Sequence, residues 1–171
     1  MKEEFFMRRK DREMGEEFAL NVLKNCEYAF LSMNLDDNTP YCIPISPVLE
    51  GKSIYFHSAK AGTKTDILNK KNNVCVTCVG KTNLVPEKFT TEYESAIAFG
   101  KAYEITDDKS KIDALKLICE KFAKSNMENF NDAIERSLAI TAIWRIDIDS
   151  ITGKRKKYDK DGKEMKFGRM E

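Results

Sequence analysis

The chain has 171 residues, enough for one domain with its own core and cramped for two. Hydrophobic residues at 42% and charged residues at 33% describe a globular chain, and a formal net charge of +1 excludes global attraction to nucleic acid or to an anionic membrane. No apolar run approaches a membrane span, MKEEFFMRRKDRE holds no apolar signal core, and five cysteines are an odd number for a disulfide framework, so the reducing cytoplasm is the expected location.

A charged arm, residues 1–15, precedes a segment, 16–26, whose apolar Phe18, Ala19, Val22, Leu23 and Cys26 line one face of a helix. That helix is expected to pack as a lid. Strands follow at 28–33, 41–49 and 53–58, separated by turns at 34–38 and 50–52, which reads as an antiparallel meander. Pro44 and Pro47 each remove a backbone donor, so the second strand is expected at an edge or bulged, with backbone left for a planar ligand or a partner subunit. Residues 63–70 read as a short helix. Residues 74–79 are apolar except for Thr77, the pattern of a central strand covered on both faces.

The next strand, 93–105, alternates between Tyr93, Ile97, Phe99, Tyr103 and Ile105 on one face and Glu94, Ala96, Ala98, Gly100 and Ala102 on the other. The small face is expected to leave room for something flat. Asp107 caps a helix that carries Ile112, Leu115, Ile118, Cys119 and Phe122 and reaches about residue 124. Residues 125–136 fit either helix or loop. Leu138, Ile140, Ala142, Trp144, Ile146 and Ile148 recur at period two and predict the last strand, with 150–171 as a tail. About six strands and two or three helices, without repeats or linkers, predict a single α+β domain over 1–171: a six-stranded antiparallel barrel with flanking helices.

The segment YFHSAKAGTKTDIL, residues 55–68, carries the chemistry. His57 and Ser58 end a strand, while Gly62 and Thr63 open a helix whose first amides have no partner inside it. Thr63 adds a hydroxyl, Lys64 a full charge, and Gly62 a backbone that a ligand can approach closely. Taken alone, this corner fits an anion, or an ordinary turn and cap beside a solvated lysine.

Together with the upstream MRRKDRE, the proline strand PYCIPI and the downstream FTTEYESAIAFGKA, the corner resembles the pyridoxamine 5′-phosphate oxidase-like split-barrel flavoproteins, and within them the nitroimidazole-resistance (NimA-like) branch. The resemblance runs over residues 7–154. It implies a split barrel, a homodimer, and flavin mononucleotide (FMN) at the subunit interface. Position by position it makes His57, Ser58, Gly62, Thr63 and Lys64 the phosphate and ribityl side. Backbone at Ile43, Pro44 and Ile45 is then set against the isoalloxazine edge, with Glu94 and Ser95 on a strand approaching the flavin and Trp144 on a strand from either subunit. Oxidases proper carry an arginine-lysine pair at the helix start and a basic C-terminal motif. Here Thr63 stands in place of the arginine and GKRKKYDKDGK does not reproduce the motif, which turns the reading away from vitamin B6 oxidation. Ser46 and Pro47 replace the branch's usual polar residue and aromatic on the substrate side.

Other candidates fare less well. His57 is the sole histidine, which leaves no zinc cluster or independent triad and makes it the one imidazole candidate for proton donation. Cys75 and Cys78 form a CxxC, but positions three apart in a strand face opposite sides and favour buried thiols, with no metal site. Lys154, Arg155, Lys156 and Lys157, balanced by Asp159, Asp161 and Glu164, read as a solvated tail, with nucleic-acid contact the weaker alternative. Asp36, Asp37, Asp107 and Asp108 read as turn and cap residues.

The expected function is an FMN-dependent oxidoreductase that passes electrons or hydride from reduced flavin to a small aromatic or nitro compound, with NAD(P)H as a candidate donor. A flavin carrier or sensor without turnover is the alternative. Pyridoxamine phosphate oxidation and a nucleic-acid-binding barrel rank below both.

Overall fold

Period-two apolar patterning dominates the chain, and the computed structural model, which describes residues 7–168, turns it into one antiparallel sheet. Its strands are β1 (Glu13–Met14), β2 (Ala29–Asn34), β3 (Pro40–Ile45), β4 (Val48–Glu50), β5 (Ser53–Ala59), β6 (Asn73–Val85), β7 (Thr90–Ile105) and β8 (Thr141–Lys156). Four α-helices accompany them among the described residues: α1 (Glu16–Asn25), α2 (Thr63–Lys70), α3 (Asp108–Phe122) and α4 (Phe130–Ser137). No described helix is long and apolar enough to cross a membrane.

The hydrogen-bonded order is β3-β2-β6-β7-β8-β5-β4, with β1 added beside β8. β3 and β4 therefore stand at opposite ends of the sheet, yet only Ser46 and Pro47 separate them in the chain. Three peptide links span about 11 Å at most, so the sheet curls until its edges come together without a ladder between them. This is the split barrel. Two corrections to the expected meander follow from it. Buried Pro47 lacks the donor that a continuous strand over 41–49 would need, and breaks it into β3 and β4. With β1, that break gives eight strands where six were expected. β3 pairs only with β2, so the proline strand is an edge, as Pro44 predicts.

The core fills the curled sheet with Leu31, Ile54, Phe56, Val76, Trp144 and Ile146. α1 closes it by burying Ala19, Val22 and Leu23, each buried Val or Leu contributing roughly 1.5–3 kcal/mol. The small residues of β7 serve this packing and leave no space for a ligand. Ala96, Ala98 and Ala102 are buried in the core, and a Cβ on Gly100 would fall 2.2 Å from the Asp147 carbonyl oxygen. On the outer face the expectation for β6 also changes. It runs between β2 and β7, but of residues 74–79 only Val74, Val76 and Cys78 are buried, while Val79 is 51% exposed.

Two segments differ from the sequence reading towards the C-terminus. Residues 125–136 form a 3-10 turn (Lys124–Asn129) and most of α4, and Phe130, Ile134 and Leu138 pack on a second cluster around Ala114, Leu115 and Ile143. Residues 150–156, read as tail, continue β8 along β7. The chain then folds back on the N-terminal arm. The Phe167 amide donates to the Asp11 carbonyl at 2.9 Å, Arg12 meets Glu164 at 2.7 Å, and Lys166 meets Asp11 at 2.6 Å.

Candidate functional site

β5 delivers His57 to the outer face and Ser58 to the inner one, because successive side chains alternate: Ile54, Phe56 and Ser58 are buried and His57 is exposed. Three residues after β5 ends at Ala59 the chain turns at Gly62, with φ 125 and ψ 168, a backbone conformation that only glycine adopts freely. A Cβ there would meet nothing within 4 Å, so the surface over this turn is open. α2 then begins without a side-chain cap, leaving the amides of its first turn pointing outward. Lys64 rises from that turn, its Nζ 5.7 Å from the centre of the Phe56 ring.

The electrostatics fit an anion. Among the described residues no acidic group is ion-paired with Lys64, and partial burial pushes its ammonium below the ordinary lysine range. Partial desolvation of the ring, and secondarily the charge of Lys64, also pushes His57 below the ordinary histidine range, which favours the neutral imidazole, with one donor and one acceptor. Open amides, an unpaired ammonium and a neutral imidazole suit a phosphate dianion.

The split leaves the proline strand at a free edge of the sheet. Val48 pairs with Tyr55, so the β4–β5 register extended backwards through the two linking residues would set Ser46 against His57 and Pro44 against Ala59. The ladder stops short of them, and the outer edge of Ile43, Pro44 and Ile45 is unladdered. Lys121 of α3 braces the break by donating to the Pro47 carbonyl at 2.7 Å.

Four expected site residues have surroundings that the motif alone did not reveal. Trp144 is 1% exposed and sits in the core, where its Nε1–H donates to Ser58 Oγ at 3.3 Å. Ser58 is itself buried, and its hydroxyl donates to the Ala59 carbonyl at 2.9 Å. Glu94 and Ser95 are distant. Ile105 of β7 aligns through Ile143 with His57, and Ser95 lies ten residues earlier on the same strand, about 33 Å at the usual strand rise. Glu94 is also already paired, 3.4 Å from Arg155. His57, Ser58, Gly62, Thr63 and Lys64 come together at the end of β5 and the start of α2, with Glu94 and Ser95 apart from them.

Thr65 was missed. It is buried and donates to the Ala59 carbonyl at 3.3 Å, tying the first turn of α2 to the end of β5. A threonine three residues after a turn glycine is its sequence signal, but only the fold shows its partner. The CxxC reading is met in part: Cys75 and Cys78 face opposite sides of β6, with Cys78 buried in the core and Cys75 only half-buried. The basic run is not a free tail, since Lys154, Arg155 and Lys156 lie in β8, with Arg155 on Glu94 and Lys156 on Thr90.

Comparison with known proteins agrees with this architecture. A proposed 5-nitroimidazole antibiotic resistance protein from Bacteroides thetaiotaomicron has a similar structure, with TM-score 0.70 and 24% identity over 84% of this chain and 86% of that one. An FAD and heme binding protein from Mycobacterium smegmatis aligns with TM-score 0.73 and 18% identity over 85% and 73% of the two chains. A flavocytochrome from Azotobacter vinelandii aligns with TM-score 0.69 and 16% identity over 97% and 85%. At these identities the likeness establishes the shared fold. No curated protein matches the sequence. The family model described as pyridoxamine 5′-phosphate oxidase matches residues 16–155, and the chain belongs to that family.

Proposed function

We propose that the protein binds FMN and acts as an oxidoreductase on a small aromatic or nitro compound. The observation that carries this reading is the corner between β5 and α2, where an uncapped helix start, open Gly62 and an acid-free Lys64 converge on a site for one phosphate. Family membership supports the flavin, and so do structural relatives described as an FAD and heme binding protein and as a flavocytochrome. A single anion corner favours FMN over FAD.

The residues fit such a group, and each has a part to play. The α2 amides, Thr63 and Lys64 hold the phosphate, Gly62 admits it, and the free edge at Ile43–Ile45 offers backbone to a flat ring. Neutral His57 donates one N–H beside the phosphate and is the group nearest the corner able to pass a proton to substrate. Bound flavin would supply the electron-pair and hydride chemistry, which suits a corner that lacks a dedicated nucleophile.

A homodimer is part of the reading. Glu94 and Ser95 lie too far along β7 to share a cofactor with His57 in one chain, so they approach one only across an interface between two copies. The outer sheet face supports such an interface: Phe30, Val79 and Ile97 are exposed on neighbouring strands around Thr77. Five free thiols support a reducing compartment such as the cytoplasm.

Purification without added cofactor, followed by identification of the flavin released on denaturation, tests the reading. FMN that NAD(P)H reduces and a nitroaromatic reoxidises is the expected result. Bound FMN with neither reaction would make the protein a carrier, and a colourless protein that takes up no FMN would overturn the proposal.

A further inference from the structure

The only tryptophan in the chain is spent on the back of the phosphate corner. Trp144 pairs in register with Phe56, and both side chains enter the core, so the indole lies directly under the end of β5. Its N–H is a donor with no acceptor capacity, and buried at this depth it needs a partner. That partner is Ser58 Oγ, at 3.3 Å. The Ser58 oxygen therefore accepts from Trp144, while its one hydrogen goes to the Ala59 carbonyl at 2.9 Å. The same carbonyl also receives the Thr65 hydroxyl, at 3.3 Å.

This wiring has one redundant link. If the Ser58 hydrogen leaves the Ala59 carbonyl, Thr65 still satisfies that carbonyl and Trp144 still holds the Ser58 oxygen, so no buried group is orphaned. We infer that Trp144 is a positioning residue of the anion corner: it pins Ser58 Oγ so that the serine hydroxyl turns from Ala59 towards a bound phosphoryl oxygen. The inference rests on the phosphate reading of this corner. Trp144 touches no ligand and acts through Ser58. Hydroxyl rotation is a small motion, so the site pays little to reorganise when the anion arrives.

The experiment is a double-mutant cycle read by flavin binding, beside the indole N–H resonance of the 15N-labelled protein. Because the chain has one tryptophan, that resonance is unambiguous. Ser58→Ala and Trp144→Phe should each weaken FMN binding about tenfold, and the double variant should bind no worse than Ser58→Ala alone. Riboflavin, which lacks the phosphate, should bind all four proteins equally. Ser58→Ala should also shift the indole resonance and speed its exchange with solvent.

Additive losses in the double variant would overturn the inference, as would an equal loss for riboflavin or an indole resonance indifferent to Ser58→Ala. If Trp144→Phe does not fold, Ser58→Ala with the indole signal carries the test. If the unmutated protein binds neither flavin, the FMN reading falls by itself, and inorganic phosphate becomes the probe. An indole shift on adding phosphate that Ser58→Ala abolishes would then support the positioning role, and no shift would overturn it.

Discussion

Two charged regions of the molecule contrast. In the clasp between the N-terminal arm and the C-terminal segment, opposite charges meet: Arg9 lies 2.7 Å from Asp11 and 3.2 Å from Glu164, Arg12 meets Glu164, and Lys166 bridges Asp11 and Glu164. At the corner between β5 and α2, Lys64 is paired with no carboxylate among the described residues, the helix start has no side-chain cap, and His57 is pushed towards its neutral form. Charges that satisfy one another hold chain ends together. Donors left without acceptors in a folded protein mark where an acceptor comes from outside.

The contrast can be broken from either side. The largest effect is expected at the outer face: in the proposed dimer Ile97→Asp would bury a carboxylate between two copies, dissociating them and removing most bound flavin. Analytical ultracentrifugation with flavin absorbance would show both losses together. Lys64→Ala should weaken FMN binding roughly ten- to a hundredfold, the range for a hydrogen bond to a charged group, while leaving thermal stability nearly unchanged. Gly62→Ala meets no steric obstacle, so its cost is backbone strain alone, about 1–3 kcal/mol, appearing as a lower melting temperature.

The smallest effect lies in the clasp. The Arg12 hydrogen bond, with Lys166 beside it, lowers the Glu164 carboxyl from 4.5 to about 2. A depressed carboxyl stabilises the fold fully above its unfolded value, and that stability fades as pH falls from about 4.5 towards 2. Asp11 is held low in the same sense, chiefly by its hydrogen bond from Arg9. Glu164→Gln should therefore flatten the acid limb of a melting-temperature profile by a few degrees and leave flavin binding untouched.

Much of this was legible in the chain. α2 occupies the expected residues, 63–70, because Gly62 and the apolar Ile67 and Leu68 mark its start and inner face. Period two found β8 but not what its inward face packs on, so Trp144, set beside the cofactor by its motif, lies in the core with the same inward phase as Ala142 and Ile146. The small face of β7 misled for the same reason: alanines that admit a flat ligand and alanines that admit a packed helix look alike. Residues 154–156 showed no alternation, since partners on β7, not apolar burial, keep them in the strand. The corner's residue types were readable, but its inner wiring was not, because Thr65, Ser58 and Trp144 meet only after β5, α2 and β8 have come together.

The central claim is that the corner between β5 and α2 holds a phosphate, and equilibrium titration with FMN and riboflavin tests it most directly. The account predicts that FMN binds at least tenfold more tightly than riboflavin, and that Lys64→Ala erases most of this difference by weakening FMN alone. Equal affinity for the two flavins in the unmutated protein, or an FMN preference that survives Lys64→Ala intact, would contradict it.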